Sequence, residues 1–166
     1  PHPPPSPSSL KAGFRGTSNI NQFTIPVNAG TFNYDISTDD GYTATGVTGS
    51  HTITFPSGAG THNVVITGTF PGMKFNAGGD DDKILTIDNW GPYGGGSTNQ
   101  QQAFSGCSLL VINATDEGNF GSVRSFFRFC LSATQITTFP FIDLSSSVSF
   151  SGFFFGASSL ADFPAN

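Results

Sequence analysis

Charge is what this sequence has least of. Acidic and basic side chains make up 10% of its 166 residues, against roughly a quarter in an ordinary globular domain. The six lysines and arginines are scattered and the formal net charge is −5. With no basic stripe, nucleic-acid binding has no electrostatic footing. No apolar run reaches the roughly eighteen residues that cross a bilayer, so no membrane insertion is expected. A GxSxG elbow is missing, and no spacing ties His2, His51 or His62 to a nucleophile. Glu117 is the only glutamate, and most other acids fall in turns, which leaves little for a glycosidase carboxylate pair. The chain is therefore expected not to be an enzyme, with no catalytic or cofactor-binding residue assigned. Long helical amphipathic stretches are also missing. Tryptophan and methionine occur once each, and Cys107 and Cys130 are the only cysteines.

What is present in quantity is phenylalanine, at 18 residues, and glycine, at 21. Serine, threonine and asparagine supply the polarity that charge does not. Short apolar alternations broken by Gly, Pro and Asp turns predict an all-β fold. QFTIPV (22–27) alternates, although Pro26 restricts it to an edge or detachable strand. TFNYDIS (31–37) puts Phe32, Tyr34 and Ile36 on one face, and SHTITF (50–55) does the same around Ile53 and Phe55. THNVVITGTF (61–70) aligns His62, Val64, Ile66 and Gly68. KILTIDNW (83–90) reads as a further alternating strand, with Ile84, Thr86 and Asp88 opposite Lys83, Leu85 and Ile87.

From about residue 97 the texture becomes a loose repeat. SVRSFFRFC (122–130) is echoed by SVSFSGFFFG (147–156), QITTFP (135–140) by SLADFP (159–164), and AFSGCSLLVINA (103–114) is an earlier partial copy. A period in the twenties is the signature of a stacked repeat that buries its core against its neighbours. The expected organisation is a Pro/Ser-rich tail and extended arm over 1–21, an Ig/PKD-like β-sandwich over 22–96, and a short leucine-rich-type β repeat region over 97–166.

The stretches TGTFPGMKFN, KILTIDNWG and AFSGCSLLVINATD, followed by repeats ending in FP, resemble the BspA-like leucine-rich repeat surface proteins. In those proteins a PKD- or Ig-like β domain precedes the repeats. The resemblance covers roughly residues 22–166. It implies an extracellular binding or structural role, on a cell or virion surface, with no catalytic activity. The chain differs from that pattern in carrying Phe126, Phe127 and Phe129 in its second repeat and Gly156 where a repeat cysteine is expected.

Several residues are candidates for chemistry or assembly. GGDDDK (78–83) and STDDG (37–41) both bring hard oxygens close together, as Ca²⁺ prefers, and Asp80, Asp81 and Asp82 are taken as the Ca²⁺ candidates, although Asp-Gly clusters are also ordinary turn chemistry. Asn113-Ala114-Thr115 is the one N-glycosylation sequon, and Ser6, Ser8 and Ser9 in PHPPPSPSS are O-glycosylation candidates. That opening also fits a processed chain or an excerpt of a longer one. Cys107 and Cys130 are about one repeat apart, in reach of each other, and in a polar, Lys-poor chain they favour one disulfide and an extracellular setting, with two buried thiols as the competing reading. Trp90 and Tyr93 read either as a sandwich core or as a sugar-stacking pair.

The last stretch, FSGFFFGASSLADFPAN (150–166), crowds phenylalanines with no polar cap behind them. Phe153, Phe154 and Phe155 are therefore expected at an assembly interface, because each buried Phe is worth about 1.5–3 kcal/mol. The expected partner is another copy of the chain. Its arm, with Phe14, Ile20, Phe23 and Ile25 as anchors, would add a strand to a neighbour and build a head-to-tail filament. The competing reading has the arm completing its own sandwich. Function is thus read as a non-enzymatic, self-assembling, glycosylated extracellular fibre subunit. The alternative is an adhesin, or a phage fibre or decoration protein, that binds a glycan or cell surface.

Overall fold

A computed structural model describes residues 9–15, as backbone, and residues 21–162. The fold is all-β, with no helix among the described residues. Eight strands are described, in the order β1 (Ser9–Arg15), β2 (Gln22–Ile25), β3 (Asn33–Thr38), β4 (Thr43–Val47), β5 (His51–Thr54), β6 (Thr61–Thr69), β7 (Ile84–Asn89) and β8 (Val111–Ile112). They form a six-stranded sheet of order β4-β3-β6-β1-β7-β8 and a two-stranded sheet β2-β5.

Alternation places the core of the first half. Tyr34 and Ile36 of β3, Val64 and Ile66 of β6, and Phe23, Ile25 and Ile53 of the small sheet are all buried in one apolar cluster. Their polar neighbours face outward, as a one-sided antiparallel sheet requires. Strand β7 departs from the expected alternation: Ile84 and Ile87 are both buried. Its pairing with β1 shifts register twice, Lys11 meeting Asn89 but Ala12 meeting Ile87, and Gly13 meeting Thr86 but Phe14 meeting Ile84. Asp88 and Leu85 are thus extra residues, and each such bulge resets which side chain points inward.

Strand β1 is the element the sequence least announced. It pairs antiparallel with both β6 and β7, from Ser9 opposite Thr67 to Arg15 opposite Thr61 on the β6 side. The arm segment 9–15 therefore sits inside the chain's own sheet. It is the strand that connects β3, β4 and β6 to β7 and β8.

Beyond β7 the chain lays successive turns on one another. Parallel bridges join Asn99 to Ser125 and Ser125 to Ser149, and a further bridge joins Thr138 to Asp162. Between turns the amides of Gln102, Phe104 and Gly106 donate to Phe127, Phe129 and Leu131 at 2.8–2.9 Å. One layer further on, Phe126, Arg128, Cys130 and Ser132 donate to Ser149, Ser151, Phe153 and Phe155 at 2.8–3.0 Å. On the other side, Phe75 and Ala77 donate to Ala103 and Ser105. The Ser-Val echo at 122 and 147 is off by one: Ser125 pairs with Ser149, so Val148 stands opposite Arg124 and is 74% exposed.

Each turn needs left-handed backbone at the same two places, and Gln102, Arg128 and Gly152 share one while Gly106, Ser132 and Gly156 share the other. Gly106 is the tightest case. At φ +85 a Cβ would lie 2.6 Å from the Cα of Ala77 and 2.5 Å from a carboxylate oxygen of Asp81.

The interior of the stack is aromatic. Phe129 is fully buried, with ring centroids 5.3 Å from Phe104, 5.1 Å from Phe126 and 5.0 Å from Phe153. Phe129→Ala should cost about 3–5 kcal/mol in denaturant unfolding. Phe155→Ala, at a residue 72% exposed, should cost less than about 0.5 kcal/mol. Gly106→Val should unfold or severely destabilise the chain, by strain and overlap together.

Candidate functional site

The turn between β3 and β4, TDDG, is fixed by Thr38 N–H donating to the Tyr42 carbonyl at 3.0 Å and Gly41 N–H to Thr38 at 3.2 Å. Asp39 N–H donates to Asn63 in β6 at 3.1 Å, which holds the turn beside the start of that strand. His62 is the second residue of β6 and faces inward, 6% exposed. Its ring lies flat on Phe55, centroids 4.0 Å apart and planes 10° apart. Nε2 is 2.9 Å from the carbonyl of Gly58. A carbonyl only accepts, so Nε2 carries a proton and Nδ1 is the ring nitrogen turned toward the acids.

Nδ1 faces two carboxylates. Nδ1 lies 3.7 Å from Asp39 Oδ1 and 3.6 Å from Asp40 Oδ2. The acids are held from behind. Asn63 Nδ2 donates to Asp39 Oδ2 at 3.2 Å, and Ser57 donates to Asp40 Oδ2 through its amide at 3.1 Å and its hydroxyl at 3.0 Å. Burial opposes the charge on Asp40, but hydrogen bonds from Thr38 and Ser57, with His62 nearby, keep its carboxyl below the ordinary range. Among the described residues this is the one group of three or more metal-ligating side chains that converge, their ligand atoms all within 4.8 Å.

The sequence offered this acidic turn beside GGDDDK and took its Ca²⁺ candidates from the latter. Asp80 is occupied by the chain itself, with Oδ1 2.7 Å from Lys83 Nζ and Oδ2 accepting from Thr24 N–H at 2.7 Å. Lys83, buried, also donates to the Gln22 carbonyl at 3.2 Å. A lysine thus neutralises the loop, and Asp81 and Asp82 do not converge with Asp80 as ligands. Burial and the neighbouring Asp82 push the Asp81 carboxyl up.

Other expected sites fall as follows. Asn113 is exposed just after β8, its amide donating to Asp88 at 3.2 Å. Ser9 opens β1, while Ser6, Ser8 and Ile20 lie outside the described residues, and Phe14 is described as backbone only. Phe23 and Ile25 are no free anchors: they pair with Ile53 and His51 of β5 and are buried in the core. Of the three expected interface phenylalanines, Phe153 is buried, Phe154 half-buried and Phe155 exposed. Trp90 and Tyr93 are fully buried, which removes the sugar-stacking reading.

Cys107 and Cys130 are free buried thiols rather than a disulfide. The reason is register. With Asn99 on Ser125, Cys107 occupies the repeat position of Ala133, and Cys130 that of Phe104. The two thiols share adjacent turns but not one position, whereas a bridge needs Cβ atoms only about 3.5–4.5 Å apart.

Two features escaped the sequence reading. The first is the meeting of His62 with Asp39 and Asp40: the acidic STDDG turn and the inward phase of His62 were each visible, but not their convergence. The second is Gln100, fully buried, whose Nε2 donates to Pro71 at 2.7 Å and whose Oε1 accepts from Tyr93 at 3.0 Å. It occupies the position that Phe126 and Phe150 fill in later turns.

Alkaline pH is expected to unfold the protein from its core. Burial raises the thiols of Cys107 and Cys130 and the phenols of Tyr34 and Tyr93. A raised folded value means stability is full below the unfolded value and is lost as pH rises past it. Thermal midpoints should be flat to about pH 8, then fall through the unfolded thiol range near about 8.5 and further above about 10. Ellman's reagent should find no reactive thiol in the native protein and two after denaturation. Comparison with protein-family models, curated proteins and solved structures returned no match to this chain.

Proposed function

We propose that this chain is a non-enzymatic structural subunit of an extracellular fibre, joined head to tail through its N-terminal arm. The observation that carries the reading is the place of β1. It lies between β6 and β7, with register pairs to both, and it precedes the other described strands. A first strand seated in the middle of a sheet can be supplied by its own chain or by a second copy through the same backbone bonds.

The far end of the stack supports association as well. Among the described residues the amides of Phe150, Gly152 and Gly156 have no acceptor, although their equivalents Phe126, Arg128 and Ser132 each donate to the next turn. Phe141, Val148, Phe150 and Phe155 are exposed there, and Leu144, Phe150, Phe153 and Phe154 line an open groove of about 350 Å³. An open edge with exposed rings is a surface that pairs.

We read the layers built from β2 to β6 as an Ig/PKD-like sandwich and the stacked turns as leucine-rich-type repeats of the BspA-like kind. Such surface proteins, a Pro/Ser-rich opening and an exposed sequon at Asn113 all favour an extracellular, glycosylated setting. No helix among the described residues is long and apolar enough to cross a membrane.

Lys11 and Val65 are register partners between β1 and β6. Replacing both with cysteine, in a background where Cys107 and Cys130 are alanine, tests the exchange. Oxidation of concentrated protein should give a ladder of covalent multimers on a non-reducing gel, with filaments visible by negative-stain microscopy. Monomer carrying only an internal bridge, or filaments that persist after deletion of residues 1–21, would overturn the proposal.

A further inference from the structure

We infer that Asp39, Asp40 and His62 form a binding site for a first-row divalent metal ion of the zinc type. Nδ1 of His62 and one carboxylate oxygen each of Asp39 and Asp40 lie within 4.8 Å of one another. His62 is 6% exposed, and its Nε2 lies 2.9 Å from the Gly58 carbonyl, which leaves Nδ1 aimed at the two acids. No lysine or arginine among the residues with described side chains pairs with either acid. A buried imidazole nitrogen and two carboxylates converging from a turn and a strand are a ligand set that a divalent cation can bridge.

Distance favours a metal over a hydrogen bond. The Nδ1 separations of 3.6 and 3.7 Å are longer than the ordinary limit for a hydrogen bond. Two ligands each about 2.0–2.1 Å from one ion, at an angle between tetrahedral and trigonal, lie about 3.3–3.6 Å apart. A shift of a few tenths of an ångström brings Nδ1 to that spacing from each acid, and the two carboxylates, whose ligand atoms lie within 4.8 Å of one another, must also turn toward each other.

The surroundings match what holds metal ligands elsewhere. A ligating imidazole characteristically donates its other N–H to a carbonyl or carboxylate, which fixes the tautomer; Gly58 does this here. Phe55 fixes the ring plane, and Ser57 and Asn63 orient the acids. The imidazole selects a transition-type ion over Ca²⁺, which takes oxygen ligands. Asp39 lies at the exposed edge, which leaves a coordination position open to water. The ion would tie together the β3–β4 turn, the turn carrying Ser57 and Gly58, and the start of β6.

The test uses untagged, chelator-treated protein with Zn²⁺, and Co²⁺ as a spectroscopic stand-in. Zn²⁺ at saturation should raise the melting temperature by about 5 °C. Co²⁺ should give visible d–d absorption that Zn²⁺ displaces. Asp39→Asn removes an exposed ligand and leaves the fold intact, and it should weaken Zn²⁺ binding at least about tenfold by calorimetry. His62→Phe keeps the ring on Phe55 and should abolish the Co²⁺ spectrum. No heat and no melting shift at 100-fold molar excess of Zn²⁺, or binding unchanged in either variant, overturns the site.

Discussion

The structure depends on amide-to-carbonyl bonds that hold one turn on the next. Those bonds set a common register, and the register forces each interior position to meet its own repeat above and below. Ala103, Phe129 and Phe153 form one such column, and Phe104, Cys130 and Phe154 form the column beside it. In the first turn the small residue stands in one column and the ring in the other. In the second turn they change places. Phe104 and Phe129 then meet edge to face, their planes 89° apart. Alternating large and small side chains across facing positions is how layers fill to native density. Cys130 is thus a small side chain that makes room for rings. In the third turn both columns carry phenylalanine, the two rings are 4.4 Å apart, and Phe154 is pushed to partial exposure.

Among the links that join the stack to the strand layers, two work differently. One is polar. Gln100 replaces a ring, takes the Pro71 carbonyl and the Tyr93 hydroxyl, and so satisfies buried groups that a phenyl would orphan. The other is the shared sheet. Strand β8 extends β7 in parallel, and β7 reaches β6 only through β1. Asp116 adds a local clamp, its carboxylate accepting from the amides of Trp90 and Gly91 at 2.8 and 2.7 Å. These links place Trp90 and Tyr93 among Phe104 and Phe120, where they are fully buried.

What was legible in the sequence follows the same physics. Phe32, Tyr34 and Ile36, or Val64 and Ile66, alternate in strands without bulges, so period two reads their faces correctly. In β7 the extra residues Leu85 and Asp88 defeat that reading, because a bulge is invisible to periodicity. The repeats were visible as echoes, but the one-residue shift at Val148 was not, since Ser-Val matches Ser-Val as text whatever its backbone does. Strand β1 was read as an arm because LKAGFR lacks alternation; a strand bonded on both edges is specified by backbone partners that a single segment does not reveal. His62 showed its inward phase. Its partners did not, because Asp39 and Asp40 reach it only through the pairing of β3 with β6.

Arm exchange has an energetic consequence that the rest of the fold must meet. In the exchanged form β1 makes the same register pairs as in the closed form, so the strand itself contributes almost no difference between them. The choice falls to concentration. A short tether holds β1 near its own slot at a local concentration of order mM, and free copies below that level close on themselves. A fibre built by the arm therefore requires a second favourable contact between copies, present only when they are joined. Among the described surfaces the open turn is the one suited to supply it. Its unpaired amides at Phe150, Gly152 and Gly156 offer direction, and the exposed rings of Phe150 and Phe155 offer apolar area. In the proposed fibre, arm and open turn would form one device: the first would set which copies meet, and the second would decide whether the meeting outlasts closure.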